Sequence, residues 1–207
     1  MSEKNYHPRP AEWQWDEVKV GDVKLQTCRV LIEGQNYEVC DHYSFQRWSN
    51  VKKGEWGEGL VNSKDDPRKV ERVGLFGELV VGILFCKRID LTYREGGDQF
   101  DFLLFDKTVN VKMRTEAPPR HDRGIIKCRH SDQSPYMPLK QELYLFGYLD
   151  WEHEKKASVC MVGGIHRENI NTDECPAFRG SHFNHEVHYR HMIPIKKLMQ
   201  EHYLSPT

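Results

Sequence analysis

The stretch GGDQFDFLLFDKTVNVK, from Gly96 to Lys112, decides the predicted fold. Two strand-like runs flank the pair DK at 106–107, and this pattern predicts a tight β-hairpin with those two residues at its turn. Counting outward from that turn places Asp101 opposite Lys112, with Asn110 on the same face because side chains alternate along a strand. An acid, an amide oxygen and an amine therefore meet at one point, which defines a candidate site.

The segment before this hairpin predicts a buried helix from about Pro67 to Lys87. Asp65-Asp66-Pro67 is a favourable start, since an acid suits the N-cap and proline suits the first turn. From 73 to 86 the sequence VGLFGELVVGILFC is apolar except for Glu78. A helix that is apolar on nearly every side is buried, and a buried carboxylate is costly without a partner. Glu78 therefore lies on an exposed stripe, pairs with a lysine or binds a cation.

The segment after the hairpin is locally basic. Residues 107–130 hold seven lysines and arginines against two acids, a local excess of five within a chain of formal net charge -1. The overall charge excludes a globally basic nucleic-acid-binding protein, but a local patch of this kind favours contact with a polyanion. The candidate nucleic-acid-binding residues in this run are Arg114, Arg120, Arg123, Lys127 and Arg129.

The remaining pattern predicts an α/β protein with a mixed central β-sheet flanked by helices. Residues 1–64 are predicted to form a β-rich N-terminal arm packed on a core of residues 65–207. Short strands are predicted at 18–20, 24–32, 37–39, 143–149, 157–163 and 186–195, with short helices at 165–170 and 195–203. The segments 42–63 and 173–184 are predicted to be loops, and residues 1–12 are predicted to be an irregular tail.

This order of parts resembles the PD-(D/E)XK nuclease superfamily, also called the restriction-endonuclease-like fold. The resemblance covers about Pro67 to Gly163 and is carried by Glu78, Asp101 and the run Asn110-Val111-Lys112. It implies a metal-dependent endonuclease that hydrolyses phosphodiester bonds of DNA with Mg²⁺ or Mn²⁺. Cleavage of both strands would favour a homodimer.

The resemblance also implies a role for each matched residue. Asp101 would be the central metal ligand, Glu78 would contribute directly or through water, and the backbone carbonyl of Val111 would complete the site. Lys112 would orient the attacking water and stabilise negative charge in the transition state. Asn110 departs from the family pattern, because the second acid of the hairpin is expected at this position.

Three explanations of Asn110 stay open at the level of sequence. Asp98 or Glu78 compensates for the missing charge; or catalysis has been lost and the protein only binds nucleic acid; or the chain is an engineered, inactivated form. The second explanation gives the alternative function, a non-catalytic nucleic-acid-binding protein on a nuclease fold.

Other patterns point to weaker alternatives. Cys175, His182 and His185 suggest a zinc site, although the surrounding apolar residues favour a strand over a helix there. The sequence has no apolar run of about 18 residues, which predicts a protein without a membrane span. The first ten residues lack the apolar region of a secretion signal, so the expected location is the cytoplasm.

Overall fold

The fold is taken from a computed structural model, which describes residues 5–20, 22–51, 67–91, 101–115, 123–129, 139–170, 177–179 and 182–204. Its helices are α1 (Gly34–Val51), α2 (Pro67–Leu84) and α3 (Ile195–Leu204). The strands of the first half are β1 (Asn5–Tyr6), β2 (Trp13–Val20), β3 (Val23–Ile32), β4 (Ile89–Asp90), β5 (Phe102–Leu104) and β6 (Lys107–Arg114). Those of the second half are β7 (Arg123–Arg129), β8 (Leu143–His153), β9 (Lys156–His166), β10 (Ala177–Arg179), β11 (His182–His188) and β12 (Ile193–Pro194).

A seven-stranded mixed sheet organises the molecule, in the order β2-β3-β9-β8-β6-β5, with β12 also paired to β9. β6 and β8 run parallel, whereas the other neighbouring strands run antiparallel. The predicted mixed sheet is therefore present in an α/β fold with three helices in the described residues. Because β3 pairs with β9, the N-terminal strands β2 and β3 belong to this same sheet.

The two faces of the sheet are covered differently. All three helices bury side chains in one large cluster against the first face, including Cys40 of α1, Leu79 of α2 and Leu198 of α3. The second face carries a smaller cluster that includes Phe146 of β8 and Val187 of β11, and no residue of the three helices belongs to it. There the cover is a three-stranded antiparallel sheet, in the order β10-β11-β7. The prediction of helices flanking the sheet thus holds for one face of the described structure.

α1 corrects the prediction for residues 37–63. The expected strand at 37–39 and the first part of the expected loop are helical from Gly34 to Val51. Tyr37, Cys40 and Ser44 are buried at spacings of three and four residues, which is the period of a helix face. The remaining residues of the segment are polar enough to hide this period in the sequence, and residues 52–63 lie outside the described structure.

Three smaller predictions also need correction. The expected loop at 173–184 contains β10 and the start of β11, and residues 5–6 of the expected tail pair with β4. The expected helix at 165–170 is a short 3-10 turn at Arg167–Asn169. α3 was predicted correctly as a helix. Its Leu198 and Met199 are buried, and the exposed Tyr203 donates a hydrogen bond from its hydroxyl to the carbonyl of Leu84.

No helix in the described part of the chain has both the length and the apolar character required to cross a membrane.

Candidate functional site

The hairpin of β5 and β6 is present, but its turn lies one residue earlier than predicted. Leu104 pairs with Lys107 and Phe102 with Val109, so Phe105 and Asp106 are the two central residues. Both have positive φ, 55° and 57°, as a type I′ turn requires. The ring of Phe105 packs edge-on against Phe85, with ring centroids 6.2 Å apart, which favours this turn despite the unfavourable φ. The prediction that Asp101 lies directly opposite Lys112 is therefore wrong.

Asp101 is nevertheless fixed against the second strand of the hairpin. Its backbone N–H donates to the carbonyl of Val109 at 2.8 Å, although Val109 already pairs with Phe102. Two residues of one strand thus face one residue of the other, which is the arrangement of a β-bulge and redirects a side chain. The Asp101 carboxylate accepts a hydrogen bond through Oδ2 from the backbone N–H of Val111 at 2.6 Å.

Lys112 lies on β6 within the electrostatic influence of two predicted site acids. Its side chain is partly buried, and burial lowers the pKa of this lysine below its ordinary value of 10.5. The charges of Asp101 and, more weakly, Glu78 oppose that decrease because they favour the ammonium form. The structure therefore brings Lys112, Asp101 and Glu78 into one region, by a different register from the predicted one.

Asn110 supplies an unusual polar atom on the same strand as Lys112. It precedes Val111 on β6, and its side-chain Oδ1 is buried with no hydrogen-bond partner among the described residues. A buried acceptor left without a donor typically costs about 1–3 kcal/mol, so such an atom in a folded protein calls for an explanation. An amide oxygen of this kind suits a hard cation, since Mg²⁺ prefers oxygen ligands.

Glu78 on α2 is paired with an arginine that the sequence did not single out. Arg47 of α1 donates from Nη1 to Oε1 of Glu78 at 3.0 Å and from Nη2 to Oε2 at 3.3 Å. The same Nη2 donates to the backbone carbonyl of Asp90 at 3.2 Å. Arg47 falls in the segment predicted as a loop, and the available signal was the need of a buried glutamate for a cationic partner.

The approach of α2 to the hairpin depends on a glycine beside Glu78. A Cβ atom built on Gly77 would lie 2.4 Å from Cγ of Met113 and 3.0 Å from Cγ1 of Val111. No ordinary side chain fits in that space unless the side chains of Met113 and Val111 move. The glycine therefore allows α2 to carry Glu78 close to the strand that carries Asn110 and Lys112.

The predicted nucleic-acid-binding residues are described only in part. Arg114 donates from Nε to the carbonyl of Arg123 at 3.0 Å, which joins the ends of β6 and β7. Arg123 is half-exposed and pairs with Glu186 at 2.8 Å, so part of its charge is balanced within the protein. Arg120 lies outside the described residues, as do the side chains of Lys127 and Arg129.

The zinc hypothesis gains no support from the described residues. His185 is buried in β11, and burial lowers the pKa of its imidazole. Cys175 and the side chain of His182 are outside the described structure. Across the described ranges, no three or more histidine, cysteine, aspartate or glutamate side chains are grouped so that they could hold a metal ion. An amide such as that of Asn110 is not among those residue types.

Comparison of the chain with protein-family models, with curated proteins and with solved structures finds no match.

Proposed function

We propose that the protein is a metal-dependent DNA endonuclease of the PD-(D/E)XK type on a restriction-endonuclease-like fold. The observation that carries this proposal is the buried Oδ1 of Asn110, without a hydrogen-bond partner among the described residues, one residue before the Val111 N–H that anchors the carboxylate of Asp101. Lys112, influenced by both Asp101 and Glu78, lies on the same strand. The hairpin thus carries an acid, a neutral oxygen donor and an amine. These groups suit hydrolysis of a phosphodiester better than they suit packing in an apolar core.

The oxygen donors fit a small, hard cation. The cation Mg²⁺ or Mn²⁺ would be held by Asp101, the Oδ1 of Asn110 and the backbone carbonyl of Val111. Glu78 would contribute through an intervening water. Such an ion supplies a water of lowered pKa and offsets the charge that develops on the phosphate. Mg²⁺ keeps several of its waters when bound to protein, so one carboxylate and two neutral oxygens are a sufficient protein contribution.

Lys112 has the position and charge to act on the water and on the phosphate. It is not an oxygen donor, so its amine donates hydrogen bonds and does not bind the cation. Asp101 and Glu78 favour its protonated form against the effect of burial. In that form it orients the water for attack on phosphorus and stabilises the extra negative charge in the transition state.

DNA is the substrate that the local charge favours. Arg114 on β6 is two residues from Lys112, and its contact with Arg123 places a second cation at the same end of the sheet. Phosphate contacts of this kind give affinity without sequence specificity. A homodimer would bring two such sites to opposite strands of a duplex, and it remains part of the proposal.

One observation favours a second function, a non-catalytic DNA-binding protein on the same fold. Asn110 contributes no charge, and both carboxylate oxygens of Glu78 accept hydrogen bonds from Arg47. A site with only one carboxylate on the cation binds it more weakly than a site with two or three. On this second hypothesis the site retains its shape but no longer supports catalysis.

A nicking assay on supercoiled plasmid distinguishes the two functions. The chain and its Asn110→Asp variant are incubated with plasmid and Mg²⁺ or Mn²⁺, and relaxed or linear product is measured on a gel. We expect nicking by the Asn110→Asp variant, because the second acid restores charge at the cation. Failure of that variant to nick the plasmid would contradict the endonuclease hypothesis. Retained DNA binding without cleavage, measured by fluorescence anisotropy, would then support the second function.

A further inference from the structure

A cavity of about 330 Å³ is lined by the N-terminal segment that precedes β2 and by the C-terminal end of α2. Its lining includes three basic residues, His7, Arg9 and Lys87, together with the indole of Trp13. No aspartate or glutamate of the described structure lines it, and neither does any candidate site residue of the hairpin. The cavity therefore combines positive charge with an aromatic ring.

The N-terminal wall of the cavity is held by one buried asparagine. Asn36 is 3% exposed; its Oδ1 accepts from the backbone N–H of Arg9 at 2.9 Å, and its Nδ2 donates to the carbonyl of Arg9 at 3.0 Å. A Cβ atom built on Gly82 would lie 2.9 Å from Cγ of Pro8, so the segment also packs directly on α2. Residues 7–12 thus follow a fixed course without regular secondary structure.

The C-terminal cap of α2 places Lys87 at the cavity. Cys86 has a φ of 53°, and the backbone N–H groups of Cys86 and Lys87 donate to the carbonyls of Ile83 and Gly82 at 3.4 Å and 2.9 Å. This is the Schellman arrangement, which satisfies carbonyls of the last helical turn. Free carbonyls at a helix C-terminus disfavour an anion, and the cap reduces that effect.

The cations at the cavity are not neutralised within the described structure. Neither Arg9 nor Lys87 forms an ion pair with a described acid. Arg9 donates from Nε to the neutral Gln35 at 3.0 Å, and no described residue accepts from its terminal nitrogens. His7 accepts from Nε of Arg88 at 2.8 Å, which adds another positive charge close by. A guanidinium with two free N–H groups side by side matches the geometry of a phosphate.

Trp13 supplies an aromatic surface beside these cations. It is 46% exposed, and an edge-to-face contact with Trp15, with ring centroids 5.4 Å apart, fixes its orientation. Nζ of Lys196 lies over the ring of Trp15, 5.6 Å from the centroid, whereas no described cation lies over the ring of Trp13. An exposed indole of fixed orientation suits stacking of a planar ring such as a nucleobase.

We propose that this cavity binds a nucleotide, with the phosphate on Arg9 and Lys87 and the base stacked on Trp13. Its volume is near the lower end of the range of about 300–1,000 Å³ for small-molecule sites, which fits one nucleotide. A free nucleotide and the 5′-phosphorylated end of a nucleic-acid strand present the same groups. The inference requires neither the hairpin site nor a metal ion.

Isothermal titration with adenosine 5′-monophosphate tests the inference. We expect adenosine and inorganic phosphate to bind at least about tenfold more weakly, since each lacks one of the two recognised groups. Arg9→Gln and Lys87→Gln should each weaken binding at least about tenfold, and Trp13→Ala at least about fivefold. Circular dichroism checks folding, and Trp13→Leu replaces Trp13→Ala if that variant does not fold.

Cys86 gives a readout located at the cavity. It lines the cavity and is exposed, whereas Cys28, Cys40 and Cys160 are buried. Adenosine 5′-monophosphate should therefore slow alkylation of Cys86 by iodoacetamide, measured by mass spectrometry of the peptide that contains it. The protection should be lost in Arg9→Gln.

Two exposed residues outside the cavity lining provide matched controls. Lys19 of β2 has no acidic partner among the described residues, and Trp151 of β8 is 42% exposed. Lys19→Gln and Trp151→Ala remove the same charge and the same ring as the test variants do, and they should leave binding unchanged.

The source of the nucleotide is distinguished with two oligodeoxynucleotides of one sequence. Tighter binding of the 5′-phosphorylated strand than of the 5′-hydroxyl strand, lost in Arg9→Gln, would identify a strand end as the ligand. Binding of adenosine 5′-monophosphate without that preference would identify a free nucleotide. The inference would be overturned by no binding of adenosine 5′-monophosphate, by equal binding of adenosine or phosphate, by unchanged binding in both cation variants, or by unprotected Cys86.

Discussion

The carboxylate of Asp101 is anchored by the backbone N–H of Val111, at 2.6 Å from Oδ2. This hydrogen bond crosses the hairpin and joins the first acid of the candidate site to the strand that carries Asn110 and Lys112. The position of the acid therefore depends on the backbone of β6, in addition to the charge of Lys112. A hydrogen bond from an amide to a carboxylate also favours the ionised form that binds a cation.

Substitutions of Asp101 should separate anchoring from charge. Asp101→Asn keeps an oxygen acceptor for Val111, so the free energy of unfolding should change by less than about 1 kcal/mol, whereas Asp101→Ala leaves that N–H without its acceptor and should cost about 1–3 kcal/mol. Both variants remove the carboxylate and should weaken Mn²⁺ binding alike. Urea unfolding and Mn²⁺ titration measure the two effects. Equal stability of the two variants would contradict the anchoring role.

The position of the turn can be tested with glycine. Asp106 adopts φ of 57°, which glycine adopts without strain, so Asp106→Gly should raise the free energy of unfolding by up to about 1 kcal/mol. Lys107 is already in β6, so Lys107→Gly should lower it by about 0.5–1 kcal/mol. Thermal unfolding measures both. A gain from Lys107→Gly as well as from Asp106→Gly would instead indicate the register predicted from the sequence, in which both residues are central in the turn.

A glycine on β7 should tolerate no side chain, whereas a glycine on α2 should. A Cβ atom at Gly124 would lie 2.1 Å from the ring of the buried Phe146, so Gly124→Ala should cost about 1–3 kcal/mol. A Cβ atom at Gly74 would meet no atom from elsewhere in the described residues within 4 Å. Gly74→Ala should therefore be neutral or stabilise the helix by up to about 1 kcal/mol. Similar losses for both variants would argue against the packing of the small sheet on Phe146.

The partly buried amine of Lys112 predicts a specific dependence of stability on pH. Its pKa in the folded protein is lower than 10.5, so the unfolded chain binds more protons between the two values and stability rises with pH in that interval. The free energy of unfolding of wild type minus that of Lys112→Met should therefore increase as pH is raised toward 10.5.

Lys24 provides the control for this pH experiment. It is exposed, and its contact with Glu17 raises the pKa of its amine, so the corresponding difference for Lys24→Met should not increase with pH. Denaturant unfolding in a series of buffers measures both differences. A flat profile for Lys112→Met would mean that the lysine is not buried as the structure has it.

Long apolar runs made most of the main sheet and the helix with Glu78 predictable. β8, β9 and α2 each bury nearly continuous apolar sequence, so their type follows from residue hydrophobicity alone. The hairpin was also predictable as an element, because turn-forming residues interrupt two strand-like runs. Its register was not, since Phe105 accepts positive φ through contacts with Phe85 and His202 that are distant in sequence.

Distant contacts also explain what the sequence missed at the site. The pairing of Arg47 with Glu78 joins residues 31 positions apart, on two helices whose packing no local pattern specifies. The unpartnered state of the Asn110 oxygen likewise depends on everything that surrounds it in the fold. The sequence identified Asn110 by its place in a motif, and the structure adds that its oxygen is buried without a hydrogen-bond partner among the described residues.

The proposed nuclease centre is tested most directly by plasmid nicking with Asn110→Asp and with Asn110→Asp/Lys112→Ala at the same Mg²⁺ or Mn²⁺ concentration. Arg114 is left unchanged in both variants, so their DNA binding should be similar, which fluorescence anisotropy can check. We predict nicking by the single variant and a loss of at least about 100-fold in the double variant, the scale of one transition-state contact. Equal nicking by both, or none by either, would contradict a nuclease centre built on Asp101 and Lys112.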